Sequence, residues 1–305
     1  MTPYQKRQTP MTLRMIEDMK IRNFASATID AYTYHIDKFD QFLEKKPISD
    51  AMPEDIRNYQ LHLIEIRKVG FSSINQAGCG LRFFFSVTIS KPWHIDMIPY
   101  GKREHKLPTV LGADEGNRLL QSTSYLKHRT FFMTLYSAGL RLSEAANLKL
   151  SNIDSQRMQL NIRFGKGSKQ RLVPLSPRLL KELRFYWKVH KPTTFLFPGK
   201  TADRPYAQTS VQKVIKVSAR KAGIKKNVTP HTLRHSYATG LLEAGVDILT
   251  ISRLLGHSSI ITTMIYLHVR RSHFQRIPRP LDWLPTRQLP RWSDPNYDQN
   301  NGSPN

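Results

Sequence analysis

The sequence predicts a mainly α-helical protein of two domains: a four-helix first domain, and a helix-rich second domain with one small antiparallel sheet. Three observations predict it. The chain has 305 residues, more than a single small core accommodates. Apolar residues recur at helical spacing over most of that length. The stretch "KPWHIDMIPYGKREHKLPTV" contains three prolines and a basic cluster, the composition of an interdomain linker. The expected boundaries are 1–90 for the first domain, 91–106 for the linker, 107–275 for the second domain and 276–305 for a proline-rich, disordered tail.

Four segments of the first domain have helical periodicity: "MTLRMIEDMKIRN", "SATIDAYTYHIDKFDQFLEKK", "PEDIRNYQLHLIEIRKV" and "SSINQAGCGLRFFFSVTIS". Ser26 or Thr28 is the expected cap of the second, Pro53 opens the third with Glu54 and Asp55 behind it, Gly70 ends the third, and Ser72 or Ser73 opens the fourth. The second domain begins with helical patterns in "ADEGNRLLQST" and "KHRTFFMTLYSAG". Three short runs rich in branched residues follow, "LKLSNID", "MQLNIRF" and "QRLVPLS", the last two joined by the turn "GKGSK". Helical patterns resume at 177–190, 207–222, 229–244 and 247–255.

Composition narrows the classes of function. Hydrophobic residues make up 39% of the chain, as expected of a folded protein. The single cysteine, Cys79, excludes an internal disulfide and a cysteine-based zinc site and reads as a small buried residue. No apolar run of spanning length occurs, and "MTPYQKRQTP" lacks the apolar stretch of a secretory signal, so a soluble cytoplasmic protein with no membrane partner is expected. The formal charge is +24, and it is unevenly placed. Residues 1–105 hold 15 Lys/Arg against 12 Asp/Glu, whereas residues 106–275 hold 28 against 8. A field concentrated in one module suits a polyanion, and nucleic acid fits better than a membrane surface because the basic residues are scattered over helices, turns and loops.

Within the basic module, "VTPHTLRHSYATG" places His231, Arg234 and His235 within little more than a helical turn. Two readings compete. As an H-x-x-x-H metal pair it lacks the glutamate that follows the first histidine in zinc hydrolases, since Thr232 stands there, and no third ligand is nearby. As an anion site it is better formed: Thr229 caps a helix, Pro230 takes its first position, and His231 falls where free N–H groups and the positive dipole end lie. Arg234 adds a planar fork suited to two phosphate oxygens.

Other fragments supply similar chemistry. "YSAGLRLSEAANL" places Arg141 after a glycine turn at the start of a short helix, with Glu144 as its acidic partner. "FGKGSKQRLVPL" places Lys166 at a hairpin tip, and Gly167 after it rules out a Walker loop. "LLGHSSIITTMIYLHV" places His257 after a glycine and Tyr266 nine residues later.

Together, "GLRLSE", "GKGSKQRLVPL", "HTLRHSYAT", "LLGHSSIITT" and the following Tyr266 resemble, in order and spacing, the tyrosine recombinase family: the integrases of phages and integrons and the Xer-type recombinases. The resemblance covers about residues 107–270. It implies a core-binding domain of SAM-like type followed by a catalytic domain of the DNA breaking-rejoining fold, closing around double-stranded DNA. It implies that Tyr266 attacks a phosphodiester to give a 3′-phosphotyrosyl link, with no metal, cofactor or ATP. Arg141 and Arg234 would stabilise the phosphorus transition state, Lys166 would protonate the leaving 5′-oxygen, His231 would assist proton transfer from the tyrosine, and His257 would bond a phosphate oxygen. Glu144 would orient the first arginine's surroundings and His235 would be structural. Lys169 and Arg171 are expected DNA contacts.

The expected function is site-specific recombination or integration for a mobile element or phage, by a homotetramer on paired sites. The alternatives are a type IB topoisomerase-like relaxing enzyme and a catalytically idle DNA-binding protein. One departure concerns the end of the chain. Family members commonly place a helix after the tyrosine that docks on a neighbour, but "RRSHFQRIPRPLDWLPTRQLP" fills with prolines, so a long exchanged helix is not expected here.

Overall fold

The computed structural model describes residues 9–44, 46–91, 107–163 and 170–267. The chain divides into two compact units, Met1–His105 and Lys106–Asn305, each considered by itself.

The first unit is built from α1 (Pro10–Ile21), α2 (Ser26–Phe42), α3 (Pro53–Leu61) and α4 (Phe71–Phe83). Two of these end in a wide turn, His62–Ile66 after α3 and Phe84–Thr88 after α4. The apolar stripe of each helix meets in one core that includes Met15, Ile36, Phe39, Ile56, Leu81 and Phe85. Several expected helix ends differ. Thr9, not a residue of the quoted run, caps α1 through its hydroxyl, with Pro10 at the first position. Neither Ser26 nor Thr28 caps α2; Ala25 holds that place, and both hydroxyl residues already lie inside the helix. Gly70 does not end the third helix. It has φ −68° and precedes α4 as its cap residue, so Ser72 and Ser73 are interior, while the left-handed turn is made at Lys68, φ 47°.

In the second unit α5 (Ala113–Gln121), α6 (Leu126–Ala138) and α7 (Leu142–Ala146) are followed by a three-stranded antiparallel sheet, β1 (Ile153–Asp154), β2 (Gln159–Ile162) and β3 (Arg171–Pro174), in sequential order. Leu160 lies opposite both Ile153 and Val173, which fixes the register. The run "LKLSNID" is strand only at its last two residues; Leu150–Asn152 forms a tight helical turn instead. Helices α8 (Pro177–His190), α9 (Gln208–Lys221), α10 (Pro230–Glu243), α11 (Ile248–Leu255) and α12 (Ile261–Met264) complete the unit.

A large core gathers Phe131, Leu135, Leu160, Leu183, Phe197 and Leu233. A smaller one joins Ala238 and Leu242 of α10, Ile251 and Leu255 of α11, and Tyr266. Thus α10 packs on both cores and carries its polar residues between them. Among the described residues no helix is long and apolar enough to cross a membrane. The expected linker, apart from Lys91, the hairpin tip with Lys166 and Lys169, and the expected tail lie outside the described residues.

Candidate active site

The site begins with a backbone turn. Helix α6 stops at Gly139, φ 58°, and a Cβ there would stand 2.2 Å from a carbon of the Tyr237 ring. Both the positive φ and the close ring demand glycine. The turn delivers Arg141 to the position preceding α7, where Glu144 accepts from the Arg141 backbone N–H at 2.7 Å and from its Nη1 at 2.8 Å. The sequence pattern of Arg141 and Glu144 is met in full.

Glu144 is a hub. Its two oxygens also accept from Arg171 Nη1 at 2.8 Å and Nη2 at 2.6 Å, and Arg234 Nη1 stands 3.9 Å away. Burial pushes the Glu144 carboxyl up, but hydrogen bonds and charge from Arg171, and the bonds from Arg141, outweigh it and hold it at about 2. One carboxylate therefore faces three guanidiniums, leaving the cluster positive.

The end of α11 answers part of that excess. Three successive carbonyls at its C-terminus, Leu254, Leu255 and Gly256, accept from Arg171 Nε at 2.8 Å, Arg234 Nη2 at 2.7 Å and Arg141 Nη2 at 2.8 Å. These carbonyls have no partner within the helix and carry its negative dipole end. Arg234 also donates to the Gly139 carbonyl at 2.6 Å. It is buried, and burial, followed by the nearby Arg141 charge, brings it down to about 10. The local field is short of anion.

Thr229 caps α10, with Pro230 first and His231 second, as the sequence predicts. His231 is exposed at a cavity of about 500 Å³ that Arg141, Ser143, Gln208, Gln212 and Lys216 also line. Partial burial and the charges of Arg234 and Arg141 lower its pKa. The three α9 residues were not anticipated, although their spacing of four marks one face of a helix.

Tyr266 is 1% exposed, packed in the smaller core. Its pKa is raised by desolvation, against the pull of Arg234. Its hydroxyl lies 2.9 Å from Nδ1 of His235, not beside His231. His235, expected to be structural and to pack or hydrogen-bond behind the site, lies one turn after His231 and makes this hydrogen bond to the phenol oxygen. Burial, then the charges of His231 and Arg234, bring it down to about 4. His257 bonds Thr263 Oγ1 through Nδ1 at 2.8 Å, and burial, with the three arginines beside it, brings it to about 4 as well.

Arg171, expected to contact DNA, has a side chain 12% exposed, with Nε, Nη1 and Nη2 all engaged with Leu254 and Glu144. It supports the cluster from behind. Among the described residues no group of three or more His, Cys, Asp or Glu is placed to hold a metal ion.

Comparison with known proteins shows the family. Residues 109–273 match the phage integrase family, and residues 11–95 match the phage integrase N-terminal SAM-like domain. The chain is 42% identical over 281 residues to the putative integrase/recombinase y4qK of Sinorhizobium fredii, covering 89% of this chain and 91% of that protein. It is 33% identical over 262 residues to the tyrosine recombinase XerA of Pyrococcus horikoshii, covering 84% and 88%. A lambda integrase tetramer bound to a Holliday junction superposes with a TM-score of 0.70 at 19% identity, covering 84% of this chain and 76% of that one, a likeness of fold.

Proposed function

The chain belongs to the phage integrase family of tyrosine recombinases, site-specific DNA recombinases, and from that premise we propose that it cuts and rejoins double-stranded DNA through Tyr266. The supporting observation is the arginine cluster. Arg141 and Arg234 are fixed on the adjacent carbonyls of Gly256 and Leu255, and one carboxylate serves three cations. A phosphodiester supplies the missing negative charge. As the Tyr266 Oη–P bond forms and the P–O5′ bond breaks, charge grows on the non-bridging oxygens, where preorganised donors are most effective. The product is a 3′-phosphotyrosyl link and a 5′-hydroxyl. The bond energy is retained, so resealing needs no ATP.

Lys166, outside the described residues, is the proposed acid for the leaving 5′-oxygen. His257, with Nδ1 held by Thr263, has Nε2 for a phosphate oxygen. His231 serves the same anion from the α10 N-terminus. Since Tyr266 is buried, attack requires the α12 segment to shift towards the DNA. Lys169 is a proposed backbone contact. The cellular setting is a mobile element or phage acting in the cytoplasm. The assembly is a homotetramer on paired sites, as in the lambda integrase tetramer solved on a Holliday junction.

A nicked suicide substrate tests the chemistry. Wild-type protein traps a covalent 3′ adduct and Tyr266→Phe does not, with DNA affinity changed only a few-fold; an adduct on the Phe variant removes Tyr266 as nucleophile. Recombination between two sites separates this function from simple relaxation of one duplex.

A further inference from the structure

We propose that the first unit carries a ligand site of its own, a cavity between α2, the wide turn after α3 and the start of α4 that takes a nucleoside phosphate, ring inward and phosphate at the mouth. The cavity measures about 260 Å³, and its walls include Lys38 and Phe42 of α2, Tyr59 of α3, His62 of the turn, Arg67 at the turn's end and Ser73 of α4. Three rings stand together there, with Phe42 lying 5.2 Å from both Tyr59 and His62 between centroids. Flat apolar walls suit a flat guest. Among the described residues no carboxylate lines the cavity, whereas Lys38 and Arg67 both do. An aromatic wall beside two cations selects a ring that bears an anion.

The inside of the cavity holds an unmet donor. Tyr59 is 2% exposed, and its hydroxyl is buried with no hydrogen-bond partner. A buried hydroxyl left unpaired is unfavourable, and a carbonyl or ring nitrogen on a bound base relieves it. Burial pushes its pKa up, so the group stays an O–H able to donate. The mouth is prepared as well. Lys38 Nζ donates to Gln41 Oε1 at 2.8 Å, and Gln41 in turn to Asp37 Oδ2 at 2.9 Å, which holds the lysine at the rim. Neither Lys38 nor Arg67 forms an ion pair among the described residues. Arg67 closes the wide turn by donating its N–H to the His62 carbonyl at 2.9 Å, and Lys68 follows in the left-handed region at φ 47°. Lysine rarely adopts that conformation, and widened turns of this kind are frequent at functional sites.

Calorimetric titration of the full chain tests the site, with deoxythymidine 5′-monophosphate, thymidine and inorganic phosphate as probes. The monophosphate is expected to bind at least about ten-fold more tightly than thymidine or phosphate, each of which makes only half of the contacts. Because the arginines around Glu144 also attract phosphate, the titration is repeated on Arg141→Gln, in which this binding is expected to persist. Arg67→Gln, at an exposed position, should weaken the monophosphate about ten-fold and leave thymidine unchanged, whereas Tyr59→Phe should weaken both. Monophosphate binding that ignores Arg67→Gln, or that disappears in Arg141→Gln, overturns the site. Equal affinity for phosphate and monophosphate overturns it too, since the rings would then contribute nothing. Should Tyr59→Phe unfold, Arg67→Gln and the ¹H–¹⁵N shifts of the unmodified protein decide: shifts on titration are expected within residues 34–73, and shifts confined to the second unit overturn the proposal. The ligand has two possible sources, a free nucleotide or an unpaired nucleotide at a DNA strand end. Competition against a blunt duplex and the same duplex with a one-nucleotide overhang separates them: selective displacement of the overhang assigns the strand end, and its absence assigns the free nucleotide. Nothing in this test involves Tyr266, so its failure leaves the strand-transfer reading standing.

Discussion

Arg171 meets Glu144 fork to fork, Nη1 on Oε1 at 2.8 Å and Nη2 on Oε2 at 2.6 Å, with the carboxylate side chain 4% exposed. This bidentate pair ties β3 to α7, and the same carboxylate caps the α7 turn that carries Arg141. A residue from the sheet thereby fixes the approach of a residue in the cavity. Neither Glu144 nor Arg171 has to touch a substrate to decide where Arg141 points.

Glu144→Gln should be strongly destabilising. It leaves the buried Arg171 and Arg234 without their counter-charge, and breaking a buried pair costs about 3–5 kcal/mol. Denaturant unfolding reads that loss. A double-mutant cycle with Arg171→Met should show a cost well below the sum of the single changes; additive costs would mean the two side chains do not act as one unit.

Stability should fall on acidification in two stages. His235 and His257, each held at about 4, stay neutral in the fold while their unfolded counterparts protonate near 6.5. Their contribution is complete above 6.5 and is lost as pH falls towards 4. Glu144, at about 2 against an ordinary 4.5, contributes fully above 4.5 and loses that contribution as pH falls towards 2. Thermal melting across pH 8 to 3 measures the sum. The His235→Gln, His257→Gln double variant should shrink the first stage to the part owed to His35, His128 and His231, whose pKa values burial also lowers, and leave the second unchanged.

Gly256→Ala should damage function more than Gly223→Ala. Both glycines have positive φ, 64° and 67°, and share a strain cost of about 1 kcal/mol for a left-handed alanine. A Cβ at Gly256, however, would stand 2.9 Å from Arg171 Nη1 and 3.0 Å from its Cδ, whereas nothing lies within 4 Å of one at Gly223. Moving Arg171 disturbs Glu144. Adduct yield should drop at least ten-fold for Gly256→Ala and stay near wild type for Gly223→Ala; equal activities would show that the cluster tolerates displacement of Arg171.

Chelators should leave strand cleavage unchanged, because the proposed charge stabilisation comes from guanidiniums. Loss of cleavage in EDTA, restored by zinc, would revive the histidine-pair metal site. DNA affinity should fall linearly with salt on logarithmic axes, reflecting counterions released by the basic module.

Much of the fold was legible because it depends on local signals. The limits of α8, α10 and α11 follow from Ser176 with Pro177, Thr229 with Pro230, and Gly256, cap residues whose effect extends over only a turn. The first domain's ends were read less well. Ser26, Ser72 and Ser73 are all capable caps, and packing placed them inside their helices instead. "LKLSNID" has strand composition, yet only Ile153 and Asp154 join the sheet, because Leu150–Asn152 closes a tight helical turn and Lys149 bridges to Phe195 instead.

The sequence by itself determined the helical architecture, the basic second module and the order of the arginines, histidines and tyrosine, since periodicity, charge and motif spacing are properties of the chain. Tertiary structure decided which of those groups meet. Arg171 and Glu144 are 27 residues apart, and His235 and Tyr266 are 31 apart. No local rule chooses between His231 and His235, both on α10. That choice is made by the packing of Tyr266 against Ala238, Leu242, Ile251 and Leu255, which brings the phenol oxygen to the second histidine and leaves the first at the cavity with Arg141.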